Sequence, residues 1–116
     1  MFKALFLSLI FQITSFVFSV EEFKHELSNE SILVDVRTKE EFEKGHITNA
    51  INIPVDSVGF ETAITKFPKN KTILLYCHSG RRSSKAAKEM QILGFVKTIE
   101  LEGGYVSWKK AEINFQ

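Results

Sequence analysis

The 116-residue sequence predicts an α/β domain, a small parallel β-sheet with α-helices on both faces. Three observations carry that expectation. The run Ile32-Leu33-Val34-Asp35-Val36 is nearly continuous in apolar residues rather than alternating, the pattern of a strand buried on both faces. Ser19-Val20-Glu21-Glu22 and Thr38-Lys39-Glu40-Glu41 are capping boxes, each placing a helix start beside such a run. Strands separated by helices rather than by tight turns pair in parallel and are covered on both sides.

Taken in order, the chain opens with Met1-Phe2-Lys3, and Ala4 through Val20 follows without a charged residue. A basic start, an apolar run and small residues near its end predict a secretory signal peptide over residues 1–19. Val17 and Ser19 suit cleavage after Ser19; Ile13 and Ser15 suit cleavage after Ser15, which would keep the first capping box and leave Phe16-Val17-Phe18 as a first strand. The alternatives are an uncleaved membrane anchor, for which the run is at the short end of the spanning range, and a buried helix. The expectation is export to the periplasm, with no stable membrane association once the leader is removed, and a folded domain over 20–116.

Within that domain, Val20 to Ser28 reads as a short amphipathic helix with Phe23 and Leu27 on one face, followed by the polar turn Ser28-Asn29-Glu30-Ser31. The Thr38 capping box opens a helix that ends at Gly45. Ile51-Asn52-Ile53 is a short strand stopped by Pro54, and Phe60 to Phe67 a helix closed by Pro68. Thr72 to Tyr76 is the next strand, Ser83 to Leu93 a helix with Gly94 as its cap, and Lys97 to Leu101 the last strand. Gly103-Gly104 turns into a final helix, Tyr105 to Ala111, carrying Trp108.

Composition narrows the partners. With 44% hydrophobic and 25% charged residues the chain has material for a single core, and a formal charge of +1 gives no basic surface for nucleic acid. The three scattered histidines and one cysteine lack metal-ligand spacing, so neither a metal nor another cofactor is expected.

That cysteine is where chemistry concentrates. Tyr76-Cys77-His78-Ser79-Gly80-Arg81-Arg82-Ser83 joins a strand to a helix, and in a parallel sheet ligands bind beyond the carboxyl ends of the strands. Unpaired N–H groups at a helix start, with Arg81 and Arg82, would stabilise a thiolate and bring the thiol below its free value of about 8.5. The plainer reading is a small buried hydrophobe ending a strand. It leaves two arginines and a glycine next to the cysteine unexplained. A lone cysteine in an exported domain forms no internal disulfide, which also favours a working thiol.

These residues resemble a known family. Ile32 to Arg37 with Glu41-Phe42 and Gly45-His46-Ile47, then Ala50 to Pro54, the Tyr76–Ser83 segment, Ala86-Ala87, Leu93-Gly94-Phe95 and Leu101-Glu102-Gly103-Gly104 through Trp108 are similar to single-domain rhodaneses, the thiosulfate sulfurtransferase-like proteins. The resemblance covers nearly all of Val20 to Lys110. It implies a rhodanese-like fold and a sulfurtransferase that moves a sulfane sulfur from thiosulfate or a related anion to a thiol or cyanide. Cys77 would be nucleophile and persulfide carrier. The backbone N–H groups of His78, Ser79, Gly80, Arg81 and Arg82 would hold the terminal sulfur, with Arg81 or Arg82 steering the sulfonate. Asp35, Arg37, His46 and Ser83 would support the site, Asp35 and Arg37 as an ion pair or loop cap and His46 through packing and hydrogen bonding. His78 either tunes the thiolate or faces solvent, His25 is solvated, and Trp108 belongs to the core or a pocket rim.

Two other functions compete. A cysteine phosphatase or arsenate reductase resembles Cys-x5-Arg, whereas here position 83 is Ser83 and the six-residue loop from Cys77 to Arg82 is the shorter one typical of sulfurtransferases. A non-catalytic binding module with a vestigial thiol is the other.

Overall fold

The computed structural model describes residues 13–114; residues 1–12 of the expected leader lie outside the described residues. In chain order the elements are β1 (Thr14–Phe18), α1 (Val20–Glu26), β2 (Ser31–Asp35), α2 (Lys39–Lys44), β3 (Ile51–Asn52), α3 (Phe60–Ile64), β4 (Thr72–Tyr76), α4 (Arg81–Ile92), β5 (Lys97–Leu101) and α5 (Gly104–Asn114). The five strands form one sheet in the order β1-β5-β4-β2-β3, and every neighbouring pair is parallel.

Because successive strand residues point to opposite faces, the apolar runs of β2 and β4 feed two cores. Val34, Val36, Ile73, Leu75 and Cys77 meet Phe60 and Ile64 of α3 and Ala86, Ala87 and Met90 of α4 on one face. Leu33, Leu74, Tyr76, Ile99 and Leu101 meet Phe23 of α1 on the other, with Tyr105 and Trp108 of α5 packed against them. Both cores need β4, whose Ile73 to Tyr76 are fully buried. Each such side chain contributes about 1.5–3 kcal/mol relative to exposure.

Local signals position the short helices. Helix α1 has seven residues, too few to persist alone. It is held by the Ser19–Glu22 capping box at its start and by Phe23, its one buried residue. Helix α2 is opened by the Thr38–Glu41 box and closed by Gly45.

The structure redraws some expected boundaries. Helix α4 begins at Arg81 rather than Ser83, because Gly80 at φ 120° makes the turn from the strand and serves as N-cap without a side-chain bond. Helix α3 ends at Ile64, and the chain reaches Phe67 through a tighter turn in which the Phe67 N–H donates to the Ile64 carbonyl at 3.0 Å. Thr14 to Phe18 is an edge strand, pairing Thr14 with Lys97 through Phe18 with Leu101. Phe18 packs on the core while Phe16 and Val17 stay exposed.

Cleavage after Ser19 would therefore remove both β1 and the cap of α1. Loss of the cap alone costs about 1 kcal/mol, so a chain beginning at Val20 should melt at least about 4 °C below one beginning at Ile13. Equal Tm values by circular dichroism would show that neither feature supports the domain.

Candidate active site

Cys77 is the first residue beyond β4. Strand alternation turns its side chain toward α4, where it is 1% exposed. The chain then needs a sharp turn into α4, made by Gly80 in a conformation that L side chains rarely adopt. This turn aims the Gly80 N–H at Cys77 Sγ, 3.0 Å away. Sulfur therefore sits at the start of a 12-residue helix with one backbone donor already directed at it.

The loop is held from behind by α5. Tyr105 N–H donates to the Cys77 carbonyl at 2.8 Å and Val106 N–H to the His78 carbonyl at 3.1 Å. These bonds require close approach. Gly104, at φ 60°, has no room for a side chain, since a Cβ there would lie 2.6 Å from the Cys77 oxygen and 2.5 Å from that of His78. The loop carbonyls are thus bound on the α5 side.

Ser83 lies one turn into α4 and is fully buried. Its Oγ is 3.7 Å from Cys77 Sγ, 3.1 Å from the Gly80 carbonyl and 3.1 Å from Oε1 of Glu100 on β5. Glu100 is itself buried. His78, Ser79 and Arg81 are exposed at the outer side of the loop. Arg82 is tied down, its Nη1 and Nη2 donating to Glu41 Oε1 at 2.7 Å and Oε2 at 3.0 Å. The Arg82 guanidinium, assisted by the cap bonds from Thr38, lowers Glu41 to about 2, and Glu41 in turn raises Arg82. Among the described residues Arg81 has no ion pair.

Asp35 and Arg37 form the expected ion pair, on the sheet face opposite Cys77. Arg37 Nε donates to Asp35 Oδ1 at 3.0 Å and Nη2 to Oδ2 at 2.6 Å, while Nη2 also reaches the Gly45 carbonyl at 2.7 Å. Burial pulls the guanidinium down, but Asp35 outweighs it and Arg37 stays above its ordinary range. Its face lies 4.4 Å over the Tyr105 ring, so the pair braces the residue whose N–H holds Cys77. Tyr76 accepts the Ile47 N–H at 3.0 Å and is kept protonated by burial and by Asp35. His46 is exposed, stacked on Phe42 at 3.6 Å with Nδ1 2.8 Å from the Phe42 carbonyl. No described contact joins it to the cysteine loop. With Trp108 it lines a separate groove of about 760 Å³.

Sequence reasoning missed Glu41, Glu100, Tyr76 and Tyr105 as parts of this site. The Thr38 box announced Glu41 only as a cap, and a lone glutamate in strand β5 carries no signal until α4 is placed over it. Glu41 has a folded value below its ordinary 4.5, so it stabilises the domain above that pH and ceases to do so as pH falls through about 2. The urea midpoint of Glu41→Gln should lie below wild type at neutral pH, with the gap closing across that acid window. A gap independent of pH would show that the ion pair is not its source.

A family model described as Rhodanese-like domain matches residues 19–111. "Putative sulfur carrier protein YrkF" of Bacillus subtilis is 41% identical over 92 residues, which cover 78% of this chain and 49% of that protein. "Thiosulfate sulfurtransferase 16, chloroplastic" of Arabidopsis thaliana is 36% identical over 87 residues, covering 66% and 72%. The crystal structure of a rhodanese-like domain protein from Staphylococcus aureus superposes with a TM-score of 0.70 at 32% identity, covering 79% of this chain and 89% of that one. The chain spans about half the length of the Bacillus relative and 20% of the "Probable adenylyltransferase/sulfurtransferase MoeZ" of Mycobacterium tuberculosis. A match over this span, on a parallel sheet that ends in a glycine-turned cysteine loop, places the chain in the rhodanese-like domain family.

Proposed function

We propose that the chain is a sulfurtransferase in which Cys77 carries sulfane sulfur from thiosulfate or a related anion to a thiol or cyanide. The observation that carries this reading is the Gly80 N–H directed at Cys77 Sγ from 3.0 Å at the start of α4. The Cys77 thiolate attacks the outer sulfur of thiosulfate; an S–S bond forms at Cys77 as the donor's S–S bond breaks and sulfite leaves with the electron pair. The acceptor, as thiolate or cyanide, then attacks the terminal sulfur and Cys77 departs as thiolate. Donors at the loop turn and the helix start stabilise negative charge at sulfur in both steps. A sulfur only 1% exposed favours donors that present a single outer atom. With Arg82 committed to Glu41, steering of the sulfonate falls mainly to Arg81. Relatives named as a sulfur carrier and as a sulfurtransferase support the same carriage of sulfur.

The apolar start of the chain supports export to the periplasm, and the place of Phe16 to Phe18 in the sheet and Ser19 at α1 favours processing that leaves these residues in the mature protein.

Cys77→Ser should abolish thiocyanate formation from thiosulfate and cyanide while leaving the melting curve nearly unchanged; residual turnover at the wild-type rate would end the proposal. Arg81→Ala should raise KM for thiosulfate on the order of tenfold with little change in kcat, because a charge-assisted contact is worth about 1.5–3 kcal/mol. Arg82→Ala frees Glu41 beside the loop and should lower kcat/KM for charged and uncharged donors alike. Equal, donor-independent losses in both variants would remove Arg81 from sulfonate binding.

A further inference from the structure

We infer that Glu100 is a positioning residue for Cys77, acting through Ser83: its protonation decides whether the single Ser83 hydroxyl hydrogen points to the carboxylate or to the sulfur. The inference rests on the sulfurtransferase reading for its consequence with thiosulfate, but not for the coupling itself.

The geometry makes the hydrogen contested. Ser83 Oγ donates toward two acceptors, the Gly80 carbonyl and Glu100 Oε1, and accepts from the Cys77 thiol, whose sulfur becomes a third acceptor once it ionises. The Gly80 carbonyl is shared with the Ser84 N–H at 3.3 Å but keeps a lone pair for Ser83, so the carboxylate and the sulfur compete with it and with each other for one hydrogen. All three side chains are buried, Ser83 at 0%, Cys77 at 1% and Glu100 at 8% exposure, so bulk water does not supply the missing donor.

With Glu100 ionised, its charge takes the Ser83 hydrogen, and the sulfur faces an oxygen lone pair. That suits a neutral thiol, which can donate to Ser83 Oγ, but not a thiolate or a persulfide anion. With Glu100 protonated, the carboxylic acid donates to Ser83 Oγ and the Ser83 hydrogen turns to the sulfur, adding a second donor beside the Gly80 N–H. The proton is exchanged with solvent through the part of Glu100 that remains exposed, and no other covalent bond changes. Ionised Glu100 would also set a negative charge behind a loop that receives a dianion.

The surroundings of Glu100 favour the neutral form. Burial raises its carboxyl above the ordinary range, opposed by the Ser83 hydrogen bond and by Lys88 of α4. Its strand neighbours, Val17 on β1 and Leu75 on β4, carry no charge. On the loop side the charged or titratable groups are Cys77 itself, His78, Arg81 and Arg82, and of these the His78 imidazole is replaced in the test so that Glu100 is read apart from it.

The test compares alkylation of Cys77 by anionic iodoacetate and neutral iodoacetamide, in a His78→Gln background, from pH about 5 to about 9. The rate ratio of the two reagents cancels the thiolate fraction and reads the local charge. The ratio should fall on the order of threefold to tenfold as Glu100 ionises, and Glu100→Gln, which keeps the shape and the bond to Ser83, should flatten it. Ser83→Ala removes the bond that favours ionised Glu100, so the fall should move to higher pH. A fall unchanged by Glu100→Gln, or a midpoint unmoved by Ser83→Ala, overturns the inference; should Glu100→Gln not fold, the Ser83→Ala midpoint alone decides. Alkylation needs no sulfur donor, so failure to transfer sulfur alongside the expected ratios would end the sulfurtransferase reading and leave the coupling standing.

Discussion

The site depends on how the carbonyls of Cys77 and His78 are bound. Both point at the first turn of α5, where Tyr105 and Val106 donate to them. With these bonds in place the backbone reaches Gly80 in a conformation that turns its N–H back to Sγ. The contact is close enough that Gly104 has no space for a side chain. Tyr105 is in turn covered by the Arg37 guanidinium, which Asp35 and the Gly45 carbonyl hold in place. Residues on the face opposite the thiol thus determine the loop conformation on the near face.

The near face is organised by two glutamates with opposite environments. Glu41 is partly exposed, paired with Arg82 and stably ionised. Glu100 is buried, bonded to a neutral hydroxyl and pushed toward its neutral form. One tethers the first turn of α4 to α2 from outside; the other reaches the sulfur from within the sheet through Ser83. Similar carboxylates are separated here by burial and by partner rather than by distance along the chain.

Much of this was legible in the sequence. The two capping boxes place Ser19, Glu22, Thr38 and Glu41 where the structure has them, because such caps are local and need no tertiary partner. The parallel sheet follows from apolar runs separated by helices, and Cys77 at a strand end follows from the sheet. The start of α4 at Arg81 was not legible, since two arginines oppose the helix dipole and residue preference argues for a later start. Tertiary pairing of Arg82 with Glu41 offsets that penalty. The roles of Glu100, Tyr76 and Tyr105 depend on packing between elements distant in sequence. Thr14 to Phe18 carries a leader's composition and a strand's residues at once, and only pairing with β5 shows its place in the sheet.

Whether Cys77 carries sulfur can be read from intact mass spectrometry of the purified protein. After incubation with thiosulfate the protein should gain the mass of one sulfur atom on Cys77, and cyanide should remove it as thiocyanate. A mass unchanged by thiosulfate, with Cys77 shown to be free and reduced, would contradict the account.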